Sequence, residues 1–172
     1  MNTNGTIEDE RNVLASILDR HASQQSQLIR SQTTLNHLPT PKPEERERTL
    51  EYIQQRIPEL SAETLGDFAT KNHEQHDVES VFALGPQFVA VTDEEFRQLL
   101  NSGGWRGLAR KHPGTKGIID CSRVGLSQHA NEALVYSGHQ RAARSGSGSY
   151  RFFQRQADGT WLQARTARAW IS

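Results

Sequence analysis

The spacing of hydrophobic residues changes once along the chain, near residue 115. Before that point apolar residues recur three or four positions apart, which predicts amphipathic helices. After it, short runs of β-branched and aromatic residues are separated by turn-forming residues, which predicts strands. A chain of 172 residues is typical of one domain. The pattern therefore predicts a single domain, mostly helical over 6–114 and an antiparallel β-meander over 115–172.

The meander contains four predicted strands. They cover residues 117–124, 131–137, 149–155 and 160–171. Asp158 followed by Gly159, between the last two strands, is a strong signal for a tight hairpin. The stretch over 141–149 is rich in Gly and Ser, so it predicts a flexible loop between the two middle strands.

The helical part carries clear signals for where helices begin. Thr6 with Asp9, and Thr92 with Glu95, have the spacing of a capping box, in which each side chain binds the backbone N–H of the other residue. Pro43 suits the first turn of a helix, where its missing N–H is not needed. These signals predict helices that begin after Thr6, near Pro43 and after Thr92.

Three segments of the helical part lack a helical pattern. Residues 26–34 place Leu28 and Ile29 among polar residues and predict an edge strand. Residues 71–79 are polar and predict a loop, and residues 82–91 predict an extended segment.

We therefore expect an α+β fold, in which the N-terminal helices pack on one face of a curved antiparallel sheet formed mainly by the C-terminal strands. Cystatin and nuclear-transport-factor-2-like folds are analogous arrangements, and such an analogy implies no function. The expected core consists of Leu14, Ile17, Leu65, Phe68, Phe96, Leu99, Ile118, Val124, Leu134, Tyr136, Phe152 and Trp161.

Charge is distributed unevenly between the two parts. The formal net charge of the whole chain is zero, which argues against a general affinity for nucleic acid or anionic membranes. From residue 104 onward, however, the chain has 11 Lys or Arg and three acidic residues. The net charge of this part is therefore +8, and the rest of the chain balances it. Either the two parts neutralise each other in the fold, or the basic sheet binds an anionic partner or ligand.

Composition also bears on the expected cellular location of the protein. Hydrophobic residues make up 34% of the chain, and the mean hydropathy is −0.72. No apolar run approaches the ~20 residues that are needed to cross a bilayer. The first residues lack the pattern of a signal peptide. We expect a soluble protein that does not enter a membrane and works in the cytoplasm, or an exported protein whose leader is missing from this sequence.

The one cysteine, Cys121, excludes an intramolecular disulfide. With Asp120 and His129 nearby in sequence, it could form the nucleophile group of a small hydrolase or transferase. A cysteine within a β-rich run is more often a buried packing residue, and we expect that role for Cys121.

His73 and His76, followed by Asp77, could chelate a divalent metal ion. In the zinc-protease signature, however, two His are four apart on a helix with a Glu after the first. Here the His are three apart in a polar run. The sequence therefore predicts neither a metal site nor a cofactor.

The best candidate for a binding site lies between the middle strands. Ser-Gly-Ser-Gly-Ser over 145–149 can expose backbone N–H groups to an anion, and Arg141 and Arg144 flank it with positive charge. Phosphate-binding loops usually lead into a helix, whereas this one joins two strands, so it could be only a hairpin loop. The predicted binding residues are Arg141, Arg144, Ser145, Ser147 and Arg123.

Arg123 has a second interpretation. It lies just before Gly125, which is expected to make a turn with a backbone conformation that other residues resist. A guanidinium offers a planar fork of donors, so Arg123 could instead stabilise the fold by pairing with a carboxylate or with backbone carbonyls near that turn.

Several short motifs of the C-terminal part follow a recognisable order. They are Gly-Ile-Ile-Asp-Cys-Ser-Arg-Val-Gly-Leu over 117–126, Ala-Leu-Val-Tyr over 133–136, Gly-Ser-Gly over 146–148, Asp-Gly-Thr-Trp over 158–161 and Trp-Ile-Ser over 170–172. The series resembles a family of uncharacterised bacterial domains, often exported, with Ser-Arg-Val-Gly-Phe, Ala-Leu-Val-Tyr, Gly-x-Gly and a terminal Trp-x-Ser. Leu126 stands where that family has Phe. The resemblance implies an α+β fold with a curved antiparallel sheet, and no activity.

Together these features predict a non-catalytic binding protein, of an accessory or immunity type, that docks through a basic sheet edge and loop. The expected partner is an acidic protein or an anionic small ligand. The alternative is a small hydrolase or transferase that uses Cys121 or a His.

Overall fold

The computed structural model describes residues 6–20, 26–35 and 41–172, and these residues form an α+β fold. Their helices are α1 (Ile7–Leu18), α2 (Pro43–Arg56), α3 (Ala62–Lys71), α4 (Val78–Phe82), α5 (Asp93–Asn101) and α6 (Gly104–Lys111). Their strands are β1 (Gln27–Arg30), β2 (Phe88–Val91), β3 (Ile118–Cys121), β4 (Gly125–Leu126), β5 (Glu132–Ala142), β6 (Ser145–Arg155) and β7 (Trp161–Ile171).

All seven strands belong to one mixed sheet of order β2-β1-β3-β5-β6-β7, with β4 paired to β5. The C-terminal strands β5, β6 and β7 form its main, antiparallel part, as predicted. The predicted strand around Leu28 is confirmed as β1, but the predicted edge position is wrong, because β1 lies between β2 and β3 and runs parallel to both. Leu28 and Ile29 are both fully buried, so each face of β1 is covered.

The predicted helix starts are confirmed. Thr6 with Asp9, and Thr92 with Glu95, form complete capping boxes at the starts of α1 and α5. Pro43 is the first residue of α2. These contacts are local in sequence, which is why the residue pattern alone is sufficient to predict them.

The chain between α3 and β2 differs from the prediction of a loop over 71–79 and an extended segment over 82–91. Residues Val78–Phe82 form the short helix α4, and β2 begins only at Phe88. The helix starts here because the Asp77 carboxylate accepts a hydrogen bond from the Ser80 N–H, at 2.7 Å. Val78 and Phe82 then bury their side chains.

Helices cover both faces of the sheet, so the expectation of one covered face is wrong. Helices α1 and α4 pack on the face that carries Ala133 and Val135 of β5. Helices α2 and α3 pack on the opposite face, against Leu134 and Tyr136. Because consecutive residues of β5 are all apolar, both faces of this strand need a covering layer.

Most of the predicted core is confirmed. The fully buried members are Leu14, Ile17, Phe68, Phe96, Leu99, Ile118, Val124, Leu134, Tyr136 and Phe152. Leu65 and Trp161 are only half-buried and pack at the edges of the core. No helix among the described residues is both long and apolar enough to cross a membrane.

The predicted flexible loop over 141–149 is wrong. Strand β5 continues to Ala142 and β6 begins at Ser145, so only two residues form the turn. The glycines do not make this segment a flexible loop; they allow a neighbouring side chain to lie directly against the strand backbone. A Cβ atom on Gly148 would lie 2.1 Å from the indole nitrogen of Trp170, which packs across this strand.

The turn predicted at Gly125 is wrong. The absence of a side chain at this position is explained by the close approach of a helix to its backbone. Gly125 lies in β4 and is not among the glycines with a positive φ. A Cβ atom there would lie 2.4 Å from the Cβ of Phe68 on α3. The residue is small because a helix packs directly on its backbone.

A chain of buried hydrogen bonds ties the sheet together beneath α2. Trp170 donates its indole N–H to the Tyr136 hydroxyl at 2.8 Å, and Tyr136 donates to the Asp120 carboxylate at 3.0 Å. Thr34 donates to the same carboxylate oxygen at 2.9 Å. The chain links β3, β5 and β7, and it brings together residues from three of the C-terminal motifs.

Candidate anion-binding groove

The sheet face under α1 changes from apolar to polar where the helix ends. Val135 and Phe153 pack against Leu14 and Leu18 of α1. Further along the same face, Ser137 lies opposite Ser149, and His139 lies opposite Ser147 on the neighbouring strand. Because directly opposed residues of antiparallel strands share a face, these side chains continue the surface that α1 leaves uncovered.

This uncovered surface holds a cavity of about 410 Å³, which we call the basic groove. Its walls come from the β5–β6 hairpin and the end of β7. The side chains that matter here are those of Ser137, His139, Arg141, Ser145, Ser147 and Arg151. The predicted binding residues Arg141, Ser145 and Ser147 are thus brought together in one cavity.

Arg151 lies on the floor of the basic groove and is half-buried. Its Nε donates to the Ser137 hydroxyl at 2.8 Å, and its Nη1 lies 3.4 Å from Gln163 Oε1. Arg20, just beyond the end of α1, donates to the same Gln163 oxygen at 3.3 Å. Two guanidinium groups therefore share one neutral acceptor.

No Asp or Glu side chain pairs with either of these two guanidinium groups. All 20 acidic residues of the chain belong to the described ranges, and none forms an ion pair with Arg20 or Arg151. The pKa of Arg151 is accordingly lowered, first by burial and then by repulsion from Arg20. The floor of the groove therefore carries positive charge that no Asp or Glu side chain balances.

The other two predicted binding residues lie outside the groove. Arg144 occupies the exposed two-residue turn between β5 and β6 and does not line the cavity. Arg123 lies near the start of α1, where it forms a two-point ion pair with Glu10 at 2.9 and 2.7 Å. The hydrogen bond with Glu10 is the main cause of the raised pKa of Arg123. Of the two kinds of partner expected for a structural Arg123, a carboxylate or backbone carbonyls, the structure shows a carboxylate.

The residues considered for nucleophilic catalysis are not assembled. Cys121 is buried on the face under α1, whereas Asp120 points to the opposite face and binds Tyr136. Burial, and then the charge of Asp120, raise the pKa of the Cys121 thiol. His129 is exposed in the turn before β5. The expected packing role of Cys121 is consistent with its exposed fraction of 1%.

The residues considered for metal binding have other contacts. His76 Nε2 lies 3.0 Å from the carbonyl oxygen of Lys71, and Asp77 caps α4. Within the described ranges, no group of three or more His, Cys, Asp or Glu side chains could hold a metal ion.

Sequence reasoning missed Ser137, Arg151 and Arg20. The first two could have been predicted, because strand alternation places Ser137 on the same face as His139, and Arg151 on the same face as Ser147. Arg20 was not, since its contribution depends on where the end of α1 lies over the sheet.

Comparison of the chain with models of protein families, with curated proteins and with solved structures gives no significant match.

Proposed function

We propose that the chain is a non-catalytic binding protein, of an accessory or immunity type, that docks an acidic protein or an anionic ligand through the basic groove. The main support for the proposal is that Arg20 and Arg151 share one hydrogen-bond acceptor, the side-chain oxygen of Gln163. An external anion that replaced or joined this neutral oxygen would receive hydrogen bonds from both guanidinium groups. Such charge-assisted bonds are about twice as strong as neutral ones.

The surroundings of the pair favour the same function. Arg151 is half-buried, so its charge is less screened by salt than that of an arginine in open solvent. Ser145 and Ser147 line the cavity and can add hydroxyl donors, and Arg141 adds a third cation. The anion would thus meet donors from both strands of the hairpin.

A catalytic use of Cys121 has no comparable support. A nucleophilic thiol needs solvent access and a lowered pKa. Cys121 is buried and its pKa is raised.

The proposal is tested by isothermal titration with two simple anions, hexaglutamate and inorganic phosphate, at low and at physiological salt. We expect at least one of them to bind, and to bind more weakly as salt increases. Arg151→Met should weaken that binding about tenfold, the loss expected for one charge-assisted hydrogen bond. Arg144→Ala is the matched control, because it removes an arginine from the same hairpin but outside the groove.

Two results would contradict the proposal. One is that neither anion binds the wild-type protein at low salt. The other is that Arg144→Ala weakens binding as much as Arg151→Met does, since the charge of the hairpin, and not the groove, would then be responsible.

A further inference from the structure

A second cavity adjoins the basic groove, at the end of the sheet where β1 and β3 begin. Its volume is about 540 Å³, and we call it the Trp105 cavity. His139 and Arg141 line both cavities. The two cavities are therefore neighbours, with these two side chains in the walls of both.

One wall of the Trp105 cavity is apolar and aromatic. Trp105, Leu108 and Ala109 of α6 provide it. The Trp105 ring packs edge-on against Phe96, with ring centres 5.8 Å apart and an angle of 69° between the planes. This contact fixes the ring, and a fixed tryptophan offers a flat surface on which another ring can stack.

The remaining walls are basic. Arg20, Lys116 and Arg141 line the Trp105 cavity, and Arg20 also bonds to Gln163 beside Arg151. No acidic side chain lines either cavity, and every acidic residue of the chain lies in the described part. Positively charged side chains thus lie between the apolar wall of the Trp105 cavity and the floor of the basic groove.

The size of the two spaces favours a small molecule over a protein segment. Cavities that bind small molecules typically measure about 300–1,000 Å³ and combine apolar walls with a few polar groups. Each of the two cavities, at about 410 and 540 Å³, has such a volume.

We propose that the ligand is a small molecule that joins an oxyanion, such as a phosphate ester or a carboxylate, to a flat aromatic group. The oxyanion binds between Arg20, Arg141 and Arg151, and the aromatic group lies against Trp105. This inference rests on the proposed anion-binding function and specifies the class of ligand.

The test compares phenyl phosphate with inorganic phosphate and with the neutral probe benzyl alcohol, by isothermal titration. We expect the wild-type protein to bind phenyl phosphate about tenfold more tightly than inorganic phosphate, as aromatic stacking would give. Trp105→Leu should bring phenyl phosphate down to the affinity of inorganic phosphate and leave the latter unchanged. Arg151→Met should weaken both. Trp161→Leu, which changes a half-buried tryptophan elsewhere, is the control.

The outcomes separate this inference from the proposal on which it rests. Equal affinities of phenyl phosphate and inorganic phosphate for the wild-type protein would overturn the aromatic part and leave anion binding intact, whether or not the Trp105 variant folds. Binding of hexaglutamate without binding of phenyl phosphate would also overturn it, in favour of an acidic protein partner. If no anion binds, both proposals fail.

Discussion

Two arginine clusters lie near the two ends of α1, and they differ in what balances their charge. In the Arg123 cluster, near the start of the helix, Arg123 and Lys71 both contact the carboxylate of Glu10, whose side chain is only 2% exposed. In the Arg151 cluster, beyond the end of the helix, the hydrogen-bond acceptors that Arg151 and Arg20 find among the described residues are neutral: the Gln163 oxygen for both and, for Arg151, a serine hydroxyl.

The pKa shifts show the difference. The carboxylate of Glu10 favours the charged form of Arg123 and raises its pKa, whereas burial and Arg20 lower the pKa of Arg151. A buried cation with an internal counter-ion fixes the fold, because breaking such a pair leaves a charge uncompensated. A half-buried cation without one tends to destabilise the fold, and an external anion can provide the missing charge. We therefore assign a structural role to the Arg123 cluster and a binding role to the Arg151 cluster.

The largest expected effect comes from Glu10→Gln. This change leaves Arg123 and Lys71 partly buried without their shared carboxylate, so the free energy of unfolding should fall by about 3–5 kcal/mol. Urea unfolding measures it. Glu8→Gln is the matched control, because Glu8 is exposed in the same helical turn and should have little effect. A loss of stability no larger than that of Glu8→Gln would remove the structural role of the Arg123 cluster.

A smaller effect of opposite sign is expected for Arg151→Met. Methionine keeps the apolar stem and removes the unbalanced charge, while two hydrogen bonds are lost. The free energy of unfolding should therefore stay level or rise by up to about 1 kcal/mol. Urea unfolding without added anion gives the result. A fall of about 2 kcal/mol or more would show that Arg151, like Arg123, mainly stabilises the fold.

The smallest effect is expected for Arg144→Ala. This side chain is exposed in the β5–β6 turn and forms no ion pair with a described residue. Stability should change by less than about 0.5 kcal/mol, and anion affinity should change little. Thermal unfolding and phosphate titration together check both values. A loss of affinity that is measurable but smaller than that of Arg151→Met would extend the binding site from the groove to the hairpin turn.

Features that depend on a few neighbouring residues could be predicted from the sequence. The capping boxes at Thr6 and Thr92 and the Asp158–Gly159 hairpin turn are of this kind. The position of β1 is different, because its place between β2 and β3 is set by parallel pairing with residues far away in the chain. The residues next to Leu28 and Ile29 do not indicate which strands will pair with this short run.

The candidate site could be predicted in part. Arg141, Ser145 and Ser147 stand out by composition, although the stretch that contains them is strand and not loop. Its glycines were mistaken for a sign of flexibility, because the sequence does not show that Trp170 packs across Gly148. The lack of an Asp or Glu partner for Arg151 could not be predicted either, since it depends on where every acidic side chain lies in the fold.

The most direct test of the comparison is Gln163→Glu. This change places a carboxylate between Arg20 and Arg151 and gives the Arg151 cluster the internal counter-ion that the Arg123 cluster already has. Unfolding and phosphate titration are then measured on the same variant. The prediction is that the free energy of unfolding rises by about 1 kcal/mol, as for a partly buried charged pair, and that phosphate binding is lost. Unchanged phosphate affinity together with unchanged stability would contradict it, because the two arginines would then be neither unbalanced nor responsible for anion binding.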